Sequence, residues 1–165
     1  MTNKIALALL PAAGLVAVGL VGLRMHFQPP TVPEYTMAPA ASAEITLAPG
    51  DAFALELRPT APVTGAVAAR GFLVRGEEVR SWTAPFTTGP DGTTPSSVAA
   101  DGSVHIEGTV ASLFAGVPPG DWEVAIAVGR PENLPTAPRD VLRARDADPR
   151  ALSWRLVRER VFLGS

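Results

Sequence analysis

The chain contains no cysteine among its 165 residues. That absence excludes disulfides, thiolate zinc sites and a cysteine nucleophile together. It also excludes lipid attachment through an N-terminal cysteine, so stability outside a cell has to come from packing alone. A domain of about 120 residues can supply it, since smaller chains fold unaided. Aromatic residues are scarce at 6%, yet apolar residues reach 47%, so Ala and Val carry much of the hydrophobicity. Charge of one sign is lacking too. The net charge is −2, whereas nucleic-acid binding needs a basic surface that displaces counterions. There is no Gly-x-Ser-x-Gly nucleophile elbow, and no internal repeat.

Proline (17) and glycine (15) are abundant instead, which favours short strands joined by many turns over long helices. The longest apolar feature is Ile5–Leu23, IALALLPAAGLVAVGLVGL, which has no charged side chain. Helical at ~1.5 Å per residue, it spans roughly 28 Å, close to the ~30 Å hydrocarbon core of a bilayer. Lys4 and Arg24 bracket it with stems long enough to reach the headgroups. Pro11 is tolerated in a transmembrane helix. Two other readings stand beside this one: a cleaved signal peptide and a buried core helix. A small-residue cleavage site exists at Ala41-Ser42-Ala43, but it lies far beyond the run. Signal peptides cleave close after an apolar region of about 7–15 residues. Length therefore favours an uncleaved anchor.

The expected organisation is a cytosolic tail (1–4), a transmembrane helix in the lipid bilayer (5–23), a Pro/Ala-rich linker (24–43) and a folded domain (44–165). The amino terminus and Lys4 give a slight positive-inside bias. It places the protein as single-pass in the inner (cell) membrane, with the C-terminal domain in the periplasm or outside. Gly14, Gly19 and Gly22 lack the GxxxG spacing of paired helices. The linker's Pro29, Pro30, Pro33 and Pro39 favour an extended spacer, although Tyr35 and Met37 offer a first edge strand.

From Glu44 onward the pattern has period two. Phe53, Leu55 and Leu57 alternate with Ala54, Glu56 and Arg58, as in a half-buried strand. Pro49-Gly50-Asp51 turns into it from a short strand at Ile45 and Leu47. Val67–Val74 has three consecutive apolar residues, Phe72, Leu73 and Val74, which implies burial on both faces or a bulge. Gly76-Glu77-Glu78 turns into Val79–Trp82 as a hairpin. Residues 83–102 read as loop, followed by a brief strand at Val104 and Ile106. Trp122, Val124, Ile126 and Val128 share one face of the strongest strand. Burying them is worth about 1.5–3 kcal/mol each before entropy, so this strand is expected at the centre of the core. One short helix is expected over Ala137–Ala144, with Thr136 as its cap, and a last strand over Trp154–Leu163. About seven short strands with turns every 8–12 residues predict a mainly β fold: a small antiparallel β-sandwich, immunoglobulin-like.

Reactive groups are few. His26 and His105 are the only histidines. His26 follows the anchor, where an interfacial ring needs no further account. His105, between Val104 and Ile106, points away from the core, and catalysis there would need an oriented nucleophile and a carboxylate. Asp91-Gly92 and Asp101-Gly102 suggest turns over calcium, which wants a cluster of oxygens. Glu44–Pro138 carries net −6 and Arg139–Ser165 net +3. Arg155, Arg158 and Arg160 therefore read as strand positions paired with acidic neighbours in the domain, or else as a surface for anionic headgroups or an acidic partner. No catalytic, cofactor-binding or metal residue is assigned.

At Leu113–Val128 (LFAGVPPGDWEVAIAV) the chain resembles a feature of extracellular immunoglobulin-like and prealbumin-like domains, a proline-glycine turn leading into a strand opened by an aromatic residue. With Ile45–Leu57 (ITLAPGDAFALEL), Gly71–Val79 (GFLVRGEEV) and Gly129–Pro135 (GRPENLP), it is similar to uncharacterised single-pass membrane proteins of high-GC soil bacteria. Some of these carry an anti-sigma-type zinc module before the anchor. Met1–Lys4 holds nothing like that module, so its activity does not transfer. The expectation is a membrane-anchored, non-enzymatic interaction module without a cofactor, contacting the bilayer through residues 5–23 and a protein partner through its domain. The alternative is an accessory subunit of a membrane signalling complex, with an enzyme of unrecognised type as a third class.

Overall fold

A computed structural model describes residues 32–38, 45–148 and 152–165. The expected membrane helix at 5–23, its tail, His26 and most of the spacer lie outside these residues. No helix among the described residues is long and apolar enough to cross a membrane.

Tight turns and period-two patterning divide the domain into two sheets. The first joins β1 (Tyr35–Ala38), β3 (Ala52–Pro59), β7 (Val104–Thr109) and β6 (Ser96–Val98) in that order, all antiparallel. The second joins β2 (Ile45–Leu47), β9 (Trp154–Leu163), β8 (Gly120–Gly129), β4 (Ala68–Arg75) and β5 (Glu78–Trp82). The expected mainly β sandwich is present, with one correction: β2 runs parallel to β9. The turn at Pro49-Gly50-Asp51 explains this. Asp51 N–H donates to Ala48 O at 3.0 Å and an Asp51 carboxylate oxygen accepts from Ala48 N–H at 2.7 Å. That tight reversal fixes β2 antiparallel to β3, and so in the direction of β1 and β9. The chain thus runs up the edge of one sheet and then steps onto the other.

Between the sheets, Phe53, Leu55, Leu57, Val104 and Ile106 meet Leu73, Trp122, Val124, Ile126, Val128 and Val161. One end is filled by rings. Phe53 meets Phe114 edge-on at 5.5 Å and Trp82 at 6.1 Å, while Trp82 stacks on Phe114 at 5.0 Å. Trp82 Nε1–H donates to Leu113 O at 2.6 Å, which satisfies a buried indole and pins the short helix α1 (Val110–Leu113). Gly71 of β4 is required here: a Cβ would meet Phe86 Cε2 at 2.7 Å and Trp82 Cε3 at 2.9 Å.

A third layer lies outside the second sheet. The helix α2 (Pro138–Arg145) buries Val141 and Ala144 against Phe72, Val74, Ala125, Ala127, Leu134 and Trp154. This accounts for two sequence features. Phe72, Leu73 and Val74 are consecutive because β4 is covered on both faces, and its pairing with β8 is continuous, without a bulge. In β8 the large residues point into the sandwich, and small Ala125 and Ala127 let the helix approach.

Four expectations are corrected. Thr136 does not cap α2; Ala137 holds that position with no side-chain bond, and Pro138 pre-sets the first helical turn. The stretch 83–102 contains a 3-10 turn (Ala84–Phe86) and the edge strand β6. Nine strands form among the described residues instead of seven. The packed domain begins within the expected linker: Val32 and Tyr35 are buried, and Tyr35 O–H donates to Gly102 O at 3.1 Å. Tyr35–Ala38 is therefore the edge strand that Tyr35 and Met37 allowed.

Candidate functional site

Among the described residues, the outer face of the first sheet carries a reactive-looking row. Register sets Ser97 of β6 beside His105 of β7, and His105 beside Glu56 of β3. His105 Nε2 lies 3.8 Å from Glu56 Oε1. The carboxylate is committed elsewhere, since Arg58 Nη2 donates to Glu56 Oε2 at 2.8 Å. That hydrogen bond is the main reason the Glu56 carboxyl is held below its ordinary pKa, as the guanidinium beside it favours the charged form. The His105 side chain is 45% exposed on an open strand face. No hydrogen bond joins Ser97 to His105 among the described residues. The nucleophile-to-base contact that acyl transfer requires is missing.

The aspartates are turn residues, as expected. Asp91 accepts from Thr93 N–H at 3.1 Å and from its hydroxyl at 2.8 Å, and Asp101 accepts from Ser103 N–H at 2.9 Å. These bonds hold both carboxyls below their ordinary pKa. Among the described residues no group of three His, Cys, Asp or Glu side chains is placed to hold a metal. Arg130, the one buried cation among the described residues, is engaged by backbone: it donates to Ala66 O at 2.7 Å and to Thr64 O, clamping the loop between β3 and β4.

The second sheet provides the candidate site. Along the outer face of β9 the residues read Trp154, Leu156, Arg158, Arg160 and Phe162. The first two pack in the cluster that α2 shares, whereas Arg158, Arg160 and Phe162 are exposed. A trough of about 970 Å³ opens there, lined by Val74, Glu123, Arg145, Leu156, Arg158 and Arg160 among others, with Tyr35 at its other wall. A smaller hollow of about 260 Å³ continues it past Glu34, Leu152 and Trp154.

Charge in the trough is incompletely paired. Glu123 Oε1 is shielded from solvent and accepts no hydrogen bond; Arg158 Nη1 stands 3.9 Å away. Arg160 lies opposite Glu123 in register, yet forms no ion pair within 4 Å among the described residues. Arg145 Nη1, from the end of α2, donates to Gly76 O at 3.2 Å. Glu159 points the other way, towards the interior, and burial pushes its carboxyl pKa up.

Among the described residues, pairing of β9 is one-sided here. β9 pairs with β8 along its length, but on its other side only Val161, Phe162 and Leu163 are matched, by Ile45, Thr46 and Leu47. Among the described residues nothing pairs with Leu156–Arg160 on that side. Tyr35, Glu123 and Arg145 join the site from distant segments, and sequence reasoning did not place them there. A usable signal existed in β9 itself, where the outward positions switch from Trp154 and Leu156 to Arg158 and Arg160. No protein-family model, curated protein or solved structure matches the chain.

Proposed function

We propose that this protein is a membrane-anchored, non-enzymatic interaction module whose immunoglobulin-like domain stands outside the cytosol. The observation that carries the reading is the run Ile5–Leu23, uncharged and bracketed by Lys4 and Arg24, which lipid solvates better than water does. The strand order supports the immunoglobulin-like part. With β1, β3, β7 and β6 as strands A, B, E and D, the first sheet has the order ABED. The second then follows as A′, G, F, C and C′ in β2, β9, β8, β4 and β5, including the step of the first strand between sheets. Binding is the better reading of the domain than catalysis, because its histidine row has an arginine-bound carboxylate and an unengaged serine, while the second sheet carries exposed, incompletely paired arginines among the described residues.

The test pairs topology with extraction. Reporter fusions after Gly50 are expected to be active only with a reporter that works outside the cytosol, and the full-length chain should stay with membranes in alkaline carbonate. Activity of a cytosol-only reporter, or release into the carbonate supernatant, overturns the placement.

A further inference from the structure

We propose that two copies of this domain join edge to edge through β5, in the one antiparallel register that sets Glu78 of each copy against Arg80 of the other. The inference goes beyond the binding reading above and does not depend on the membrane placement.

β5 ends the second sheet on the side away from β9 and β2. Both segments that leave it, the Gly76-Glu77 turn and residues 83–95, are described. Its pairing with β4 takes one side of the strand; on the other, Val79 and Ser81 make no backbone hydrogen bond among the described residues. The hairpin fixes which groups face outward. Arg75 and Glu78 close a two-residue loop in which Gly76 has φ +62° and Glu77 a negative φ, the pattern of a type II′ turn. Such a loop is closed by a hydrogen-bonded pair. Glu78, Arg80 and Trp82 therefore direct their backbone groups to β4, and Val79 and Ser81 direct theirs away from it.

Outward groups pair only with outward groups, so few registers exist about a two-fold axis. With Val79 on the axis, Val79 exchanges hydrogen bonds with its own copy and Ser81 with Glu77 of the second copy. Glu78 and Arg80 then fall opposite each other twice, at the non-hydrogen-bonded positions where side chains come closest. Sliding one step sets Glu78 against Glu78, and sliding the other way sets Arg80 against Arg80. Charge thus selects the central register. Both groups are held ready for it. Glu78 accepts from Arg80 Nε at 2.6 Å and from Arg75 Nη2 at 3.0 Å. The two guanidinium groups lie 4.3 Å (Arg75) and 5.5 Å (Arg80) from the centre of the Trp122 ring. Arg75 and Arg80 balance Glu77 and Glu78, so these side chains bring no net charge to the seam. On the opposite face the half-buried Val79 meets its own copy. The pairing joins two five-stranded sheets into one.

The chain has no cysteine, so a single introduced cysteine can form a disulfide only with a second copy. In the full-length chain in mild detergent, Val79→Cys is expected to oxidise to a covalent dimer, because residues of a hydrogen-bonded pair have Cα atoms ~5.5 Å apart. Ser81→Cys, roughly 13 Å from its own copy in this register, is expected not to. Sedimentation of the cysteine-free chain should show a monomer–dimer equilibrium. Glu78→Arg or Arg80→Glu alone should weaken it about tenfold. The double exchange should restore it, and the two single variants, once mixed, should prefer each other. A chain that stays monomeric overturns the proposal, as do dimers of unchanged strength in both single variants. Equal crosslinking through Val79→Cys and Ser81→Cys overturns it too, and so does a failure of both the double exchange and the mixture to restore pairing. Reporter fusions and carbonate extraction do not involve β5, so a failed dimer leaves the membrane placement standing, and the converse holds.

Discussion

Val141 is the residue on which the third layer turns, and truncating it tests whether that layer folds with the sandwich. It is fully buried at the centre of α2, against Phe72, Val74, Ala125 and Ala127. Val141→Ala removes two methyl groups, worth about 1.6 kcal/mol of transfer free energy. The residual cavity adds about 0.5–1 kcal/mol, and the better helix propensity of alanine returns about 0.5. A net loss of about 2 kcal/mol follows, or a fall of about 1 M in the urea midpoint at a slope of about 2 kcal/mol/M. The tryptophans supply the assay. Trp154 sits in the outer layer, whereas Trp82 and Trp122 sit between the sheets, so single-tryptophan variants report each layer separately. If helix and sandwich form one cooperative unit, Val141→Ala lowers both transitions equally, because β4 and β8 are shared by both clusters. A shift seen by Trp154 alone would show that α2 opens independently, and no shift anywhere would show that Val141 does not pack on the sheet.

Other substitutions probe single contacts. Trp82→Phe keeps a ring against Phe114 but leaves Leu113 O without the indole donor at 2.6 Å; the expected loss is about 1–3 kcal/mol in urea unfolding. Gly71→Ala, whose Cβ would come within 2.7 Å of Phe86 Cε2 and 2.9 Å of Trp82 Cε3, should destabilise by about 1–3 kcal/mol through overpacking. An unchanged midpoint would show that those rings shift freely. Glu159→Gln should raise the melting temperature at neutral pH. Burial raises the folded-state pKa of Glu159, so its charge penalises the folded state above that pKa, and the penalty fades as pH falls through it. The advantage of the Gln variant should therefore shrink towards zero in acid; an advantage independent of pH would point to packing instead.

How much of this was legible depends on whether the signal was local. Phe53, Leu55 and Leu57, and Trp122 to Val128, announced their strands because a half-buried strand writes its own period into the sequence. Ser96–Val98 has three residues and no alternation, so only its pairing with β7 makes it a strand. Tyr35–Ala38 was masked by the surrounding prolines, and its place is fixed by Tyr35 reaching Gly102, 67 residues away. The same distinction governs the candidate sites. That His105 faces solvent follows from its neighbours Val104 and Ile106. That it lies beside Glu56 and Ser97 follows from register across three strands, which no local pattern encodes.

The trough is a consequence of how far apolar character extends along β9. A helix laid on a sheet covers only what repays desolvation, and the outward residues of β9 do so at Trp154 and Leu156 but not at Arg158 and Arg160. The first sheet needs no such cover, because its outward residues on β3 are Ala52, Ala54, Glu56 and Arg58. Covering Arg158 and Arg160 would bury two guanidinium groups with one carboxylate, Glu123, beside them, and their desolvation would outweigh that attraction. The change between Leu156 and Arg158 thus marks where the outward row of β9 passes from the buried layer to solvent.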